Sequence, residues 1–296
     1  MSRTARPSLA TALGHPENAR LVIMHQDDVG MCHGANVAFL ELTRTGGVTS
    51  GAAMVPCPWF PEIAAAAGER ELDLGIHLTL TSEWPQYRWA PVSSAGQALT
   101  DPHGYFPLSV PELRARLDSE VAEVELRAQI DRAIAMGIRP THLDTHMGAC
   151  LVPELRALYL RLGAEYRLPV LLPRAFDDYV DALNLGALPV QDDTQYAALL
   201  ASTGQPQIDH FRMTPGVPTT EAASAYRALL TSTTPGVTFI ALHCNAPGDI
   251  EAIIPTRAHW RTDEYRLFRS PTVHRWLHEA NIVPIGMRAI KNLLYP

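Results

Sequence analysis

The chain has 296 residues, 47% of them hydrophobic and 19% charged, enough apolar material for one large core or two ordinary ones. A formal net charge of −7 excludes the concentrated basic face that phosphate-backbone binding needs, so no nucleic-acid partner is expected. No stretch approaches the roughly 18 consecutive apolar residues of a membrane span, and the scattered cysteines make no CxxC pair, so the expected setting is a reducing cytoplasm away from membranes.

Residues 1–20 carry Arg3 and Arg6 without an apolar run behind them, and read as a flexible N-terminal extension rather than a signal peptide. The short apolar run 21–24 ends at Asp27-Asp28-Val29-Gly30 and reads as a buried strand. A helix is expected over 35–45, closed by Gly46-Gly47, followed by a strand at 50–55, a short helix at 61–68 and a strand at 74–80. Residues 81–109 are punctuated by prolines and glycines, with Trp84, Tyr87 and Trp89 between them, and read as a long binding loop or lid.

Ser109-Val110-Pro111-Glu112 has the form of a capping box. It opens one long expected helix whose apolar stripe is Leu113, Leu117, Val121, Val124, Ile130 and Ile134, with Gly137 as its stop. A strand into Thr141-His142-Leu143-Asp144-Thr145-His146, a helix over 153–166 and a strand at 170–172 follow. Helices near 197–201, 220–230 and 271–280 then alternate with strands at 208–213, 237–242 and 282–285. Seven or eight strands alternating with helices imply a single α/β domain over 21–296, a distorted or incomplete TIM-like (β/α) barrel, with an open doubly wound sheet as the main alternative. No phosphate-binding glycine motif is present.

The polar clusters fall where such strands end: Asp27-Asp28, His77, the run from His142 to His146, and His243. In a barrel these ends converge on one face. Taken singly, each has an ordinary reading, the paired aspartates as a solvated turn and His77 as a core histidine. Together they point to a divalent ion, because adjacent buried carboxylates repel unless a cation is present. Two imidazoles with one carboxylate leave positions open for water. One division of labour then has Asp28 bind metal and Asp27 act as base.

These segments resemble the YdjC/ChbG-like carbohydrate deacetylases, a family similar in fold and metal chemistry to the wider polysaccharide deacetylases. Gln26-Asp27-Asp28-Val29-Gly30 resembles the family's ADDFG stretch, and Gly46-Gly47-Val48-Thr49-Ser50 its G-x-V-T-S continuation. Gly75 to Thr81 is similar to GxHxxLT, Pro140 to His146 to PTHxDSH, and Arg261-Thr262-Asp263-Glu264 to an R-x-x-E stretch. Gln26 and Val29 depart from the first motif, and Met147-Gly148-Ala149-Cys150 follows His146 where the family often has further histidines.

The resemblance implies one divalent metal ion, zinc or magnesium, held by Asp28, His77 and His146, with Asp27 as general base. It implies His243 as general acid or oxyanion-side donor, and His142 and Asp144 as groups that orient ligands or contact substrate. Arg174 is a candidate for orienting a carboxylate or the substrate, and Trp84, Tyr87 and Trp89 for stacking on a sugar ring. The implied activity is hydrolysis of the acetamido group of an amino sugar or short oligosaccharide. A different amide, ester or phosphate substrate, or a non-catalytic sugar-binding protein, is the alternative, and a homodimer is left open.

Overall fold

The computed structural model describes residues 8–175 and 194–296. Seven parallel strands form its sheet: β1 (Arg20–Val29), β2 (Ser50–Ala53), β3 (Leu74–Leu78), β4 (Leu143–Thr145), β5 (His210–Met213), β6 (Gly236–Leu242) and β7 (Ile282–Pro284). Their order is β4-β3-β2-β1-β6-β5, with β7 beside the first residues of β1. Every residue of β2, β3 and β6 is buried, as expected of parallel strands covered on both faces.

The arc curls toward closure. Residues 170–173, expected as a full strand, make only two single bridges, Leu143 with Val170 and Pro173 with Ile208. They connect β4 to β5 without a ladder, so the result is the distorted TIM-like barrel expected from the alternation.

Most expected elements stand within a few residues of their reading, and three differ. The helix expected from Ser109 to Gly137 is two helices, Val110–Arg114 and Ser119–Ala135, broken where Asp118 caps the second by accepting from the backbone N–H groups of Glu120 and Val121. Its buried face is also not the expected stripe, since Val124 and Ile134 are exposed while Glu125 and Gln129 are fully buried. Those two polar residues satisfy backbone that has no sheet partner. Gln129 bonds both the N–H and the C=O of Thr79, and Glu125 accepts from the N–H groups of Val92 and Ser93. The expected binding loop is thereby pinned to the barrel wall.

The second difference lies in the N-terminal extension. Residues 1–7 lie outside the described residues, but Leu9–Ala12 is a helical turn with Leu9 and Ala10 buried, so 8–19 is not a loose tail. Apolar side chains that gain burial hold it there. Third, helices Asp249–Ile253, Ala258–Phe268 and Met287–Leu294 have no counterpart in the sequence reading. The second of them carries residues into the site.

Candidate active site at the strand ends

In a regular strand adjacent side chains point to opposite faces, so Asp27 and Asp28 could not both face the barrel mouth. The register between β1 and β2 shifts between Gln26 and Val29, and Asp28 has φ 60°. This irregularity and the left-handed residue turn both carboxylates into one cavity of about 420 Å³. A second turn through positive φ, at Met147 (52°) and Gly148 (69°), takes the chain out of β4 just after His146.

The cavity is lined by Asp27, Asp28, His77, Trp84, Asp144, His146 and His243, so seven of the expected residues meet there. Asp28 Oδ1 lies 3.6 Å from His77 Nε2 and 3.3 Å from His146 Nδ1, and makes no hydrogen bond of its own. An unpartnered buried carboxylate oxygen facing two imidazoles suits a divalent cation, and these three side chains can offer ligand atoms within 4.8 Å of one another. His77 donates its Nδ1–H to Asp144 Oδ1 at 2.8 Å, which turns its Nε2 lone pair toward Asp28.

Two other groupings, His25 with His142 and Asp144, and Asp27 with His77 and Asp144, also come within ligand range. The first is sealed: His25 and His142 have no exposure, and their Nδ1 atoms are held by the hydroxyls of Ser50 and Thr141. The second would take the His77 nitrogen already bonded to Asp144, or compete with Asp28 for the other.

Burial, opposed by His77 and reinforced by Asp144 and Asp28, pushes the Asp27 carboxyl well above the usual carboxylate range. Burial also acts on Asp28, but Arg261 and His146 hold it well below that range. Burial pulls His146 down, yet the carboxylates of Asp28 and Glu83, each 3.3 Å away, outweigh it and lift the imidazole to about 9. His243 is pulled down to about 3 by burial and the charge of Arg261, so it is neutral at pH 7. Its Nδ1 lies 2.8 Å from Thr214 Oγ1, and Thr214 donates to Glu264 Oε1, so the Nδ1 carries the proton and Nε2 faces Asp27 Oδ2 at 3.9 Å.

Several expected residues stand elsewhere. His142 is fully buried and outside the cavity lining; it fits against the wall only because Gly75 has no Cβ, which would lie 2.5 Å from the ring. Arg174 pairs with Asp209 at 3.1 Å and does not line the cavity. Of the three loop aromatics only Trp84 reaches the cavity. Trp89 is buried behind His146, ring centroids 5.9 Å apart, and Tyr87 donates to the carbonyl of Met31.

The sequence reading overlooked His25, Glu83 and Thr214. His25 is two residues before Asp27 on a strand, and that alternation was an available signal. Glu83 lies within an irregular loop and Thr214 in an unremarkable segment, and nothing local marks either. The weak R-x-x-E match has structural content: Arg261 bonds Asp28, and Glu264 accepts from Thr214 and from the backbone N–H of His243.

The family model for YdjC-like proteins matches residues 21–279. A carbohydrate deacetylase of Thermus thermophilus is 36% identical over 278 residues, covering 93% of this chain and 96% of that protein. A carbohydrate deacetylase of Brevibacillus brevis is 36% identical over 156 residues, 52% of this chain and 60% of that one. Among solved structures, a protein of Enterococcus faecalis described as a cellobiose-phosphate cleavage protein shares the fold, with a TM-score of 0.72, 22% identity and coverage of 92% of this chain and 99% of that one.

Proposed function

The chain belongs to the YdjC-like family, and from that premise we propose that it is a metal-dependent hydrolase removing an acetyl group from an N-acetylated amino sugar or short oligosaccharide. The observation that carries the reading is the unligated Asp27 carboxylate beside Asp28, His77 and His146 in one open cavity. A structural site would be closed, and a mere sugar binder has little need of a second, repelling carboxylate there.

Asp28, His77 and His146 would hold one divalent ion, zinc or magnesium, which when bound supplies Lewis acidity toward the amide carbonyl and toward water. Asp144 orients His77, and Arg261 occupies the second oxygen of Asp28 at 2.7 Å, leaving Oδ1 as the single ligand atom. Asp27 accepts the proton of the attacking water. His243 begins neutral and takes up a proton at Nε2, for which Asp27 Oδ2 is the adjacent carboxylate, before giving it to the leaving nitrogen. Trp84 offers an apolar ring to the sugar, with the Arg261 guanidinium 5.4 Å from its centroid.

The test is acetate release from N-acetylglucosamine oligomers, before and after chelation and with zinc or magnesium restored. Metal-restored release supports the reading. Metal binding without release, against esters and phosphates as well, moves it to a binding protein; release from those substrates alone changes the scissile bond.

A further inference from the structure

His25 lies below the cavity with no exposure and takes no part in the reaction as described. Its Nδ1 is 2.8 Å from Ser50 Oγ, a neighbour set by the pairing of these two residues across β1 and β2. Its Nε2 lies 3.0 Å from Asp144 Oδ2 and 3.4 Å from Asp27 Oδ1. Burial raises the Asp27 carboxyl, but at Asp144 burial is outweighed by His77 and His25, which hold that group ionised. An ionised carboxylate only accepts, so with the Ser50 hydroxyl donating to Nδ1 the proton belongs on Nε2. Nε2 and the two carboxylate oxygens are close but not aligned as hydrogen bonds. The ring is held between Phe239, centroids 4.7 Å apart, and His142, 4.9 Å apart.

We infer that His25 is a positioning residue whose Nε2 edge, set between Asp27 and Asp144, keeps the proposed base and the carboxylate that orients His77 apart and in place; the inference rests on the deacetylase reading above. With Oδ1 turned toward His25 at 3.4 Å, Asp27 has Oδ2 on the side of His243. The other oxygen of Asp144 remains on His77. Without the imidazole, Asp27 and Asp144 face each other below the proposed metal ligands, and Asp27 loses its neighbour on the Oδ1 side.

The experiment compares His25→Leu, which fills the space without a donor, with His25→Gln, whose amide can place an N–H near the position of Nε2. Acetate-release kinetics, zinc affinity by calorimetry and thermal melting are read on each. In His25→Leu kcat should fall about 100-fold with KM within about threefold, and zinc affinity about tenfold. His25→Gln should recover most of both. Wild-type kcat and zinc affinity in His25→Leu, or a well-folded His25→Gln no better than it, would overturn the inference.

Should His25→Leu fail to fold, Ser50→Ala keeps the imidazole and removes the hydroxyl that sets its tautomer; an unchanged kcat there would count equally against it. If the wild-type protein releases no acetate, the deacetylase reading fails on its own, and the zinc titrations still decide whether His25 positions Asp144.

Discussion

Arg261 Nη1 lies 2.7 Å from Asp28 Oδ2, joining a helix late in the chain to the irregular end of β1 across 233 residues of sequence. The guanidinium also approaches Glu83 at 3.8 Å, and Glu83 lies 3.3 Å from His146. Asp28, Arg261, Glu83 and His146 thus form a closed ring of charged contacts that includes two of the proposed metal ligands. Arg261→Met breaks that ring and leaves a buried carboxylate unpaired, which should cost the metal-free protein about 3 kcal/mol. Urea denaturation checks it, and zinc should stabilise the variant more than it stabilises the wild type.

Asp27→Asn should lower kcat by about 10²–10⁴-fold while zinc stays bound, because Asp27 is assigned the proton and not the metal. Zinc content after gel filtration separates the two roles. A variant that loses the metal as well would move Asp27 into the ligand set.

Metal affinity should rise with pH. In the metal-free protein the raised pKa of His146, about 9 against an ordinary 6.5, makes its protonated form a stabilising partner of Asp28 and Glu83. That contribution is complete below about pH 6.5 and disappears as pH rises through about 9. A metal ion needs the same lone pair, so its apparent affinity should climb roughly tenfold per pH unit until about pH 9, with one proton released from His146 on binding. Calorimetry in two buffers of different ionisation enthalpy counts that proton, and a count of zero contradicts the assignment.

Gly75→Ala should destabilise the protein by about 1–3 kcal/mol, since a Cβ at this position would lie 2.5 Å from the sealed His142 ring. The ring cannot move into solvent, and β3 carries His77 two residues later, so zinc affinity should fall with stability. Thermal melting with and without zinc measures both.

The two loop tryptophans should separate binding from packing. Trp84→Ala removes a cavity wall and should raise KM severalfold with a smaller effect on kcat. Trp89→Ala removes a buried ring behind His146, whose indole N–H bonds the carbonyl of Thr81, and should cost about 3–5 kcal/mol of stability. Steady-state kinetics on one and urea melts on the other check the contrast.

What could be read from the chain alone was the part governed by local periodicity. Buried parallel strands are continuous apolar runs, helices repeat at 3.6 residues, and their alternation implied a barrel with its chemistry at the strand ends. The six aspartates and histidines that line the cavity, from Asp27 to His243, were legible for that reason. The expected continuous helix after Ser109 failed because an apolar stripe says nothing about a neighbour that needs polar partners. Glu125 and Gln129 are buried to satisfy the backbone of Thr79, Val92 and Ser93, which belongs to a different part of the chain.

By itself, then, the sequence determined the strand and helix alternation and the placing of aspartates and histidines at strand ends, because both follow from residue type and short spacing. Only the tertiary structure decided which of them share a cavity and how each is held. The irregular β1 end with left-handed Asp28 turns two adjacent carboxylates to one side, against the alternation of a regular strand. Arg261, Glu83, His25 and Glu264 act on the site from distant segments, and contacts of that separation are set by how the barrel closes, which no local pattern encodes.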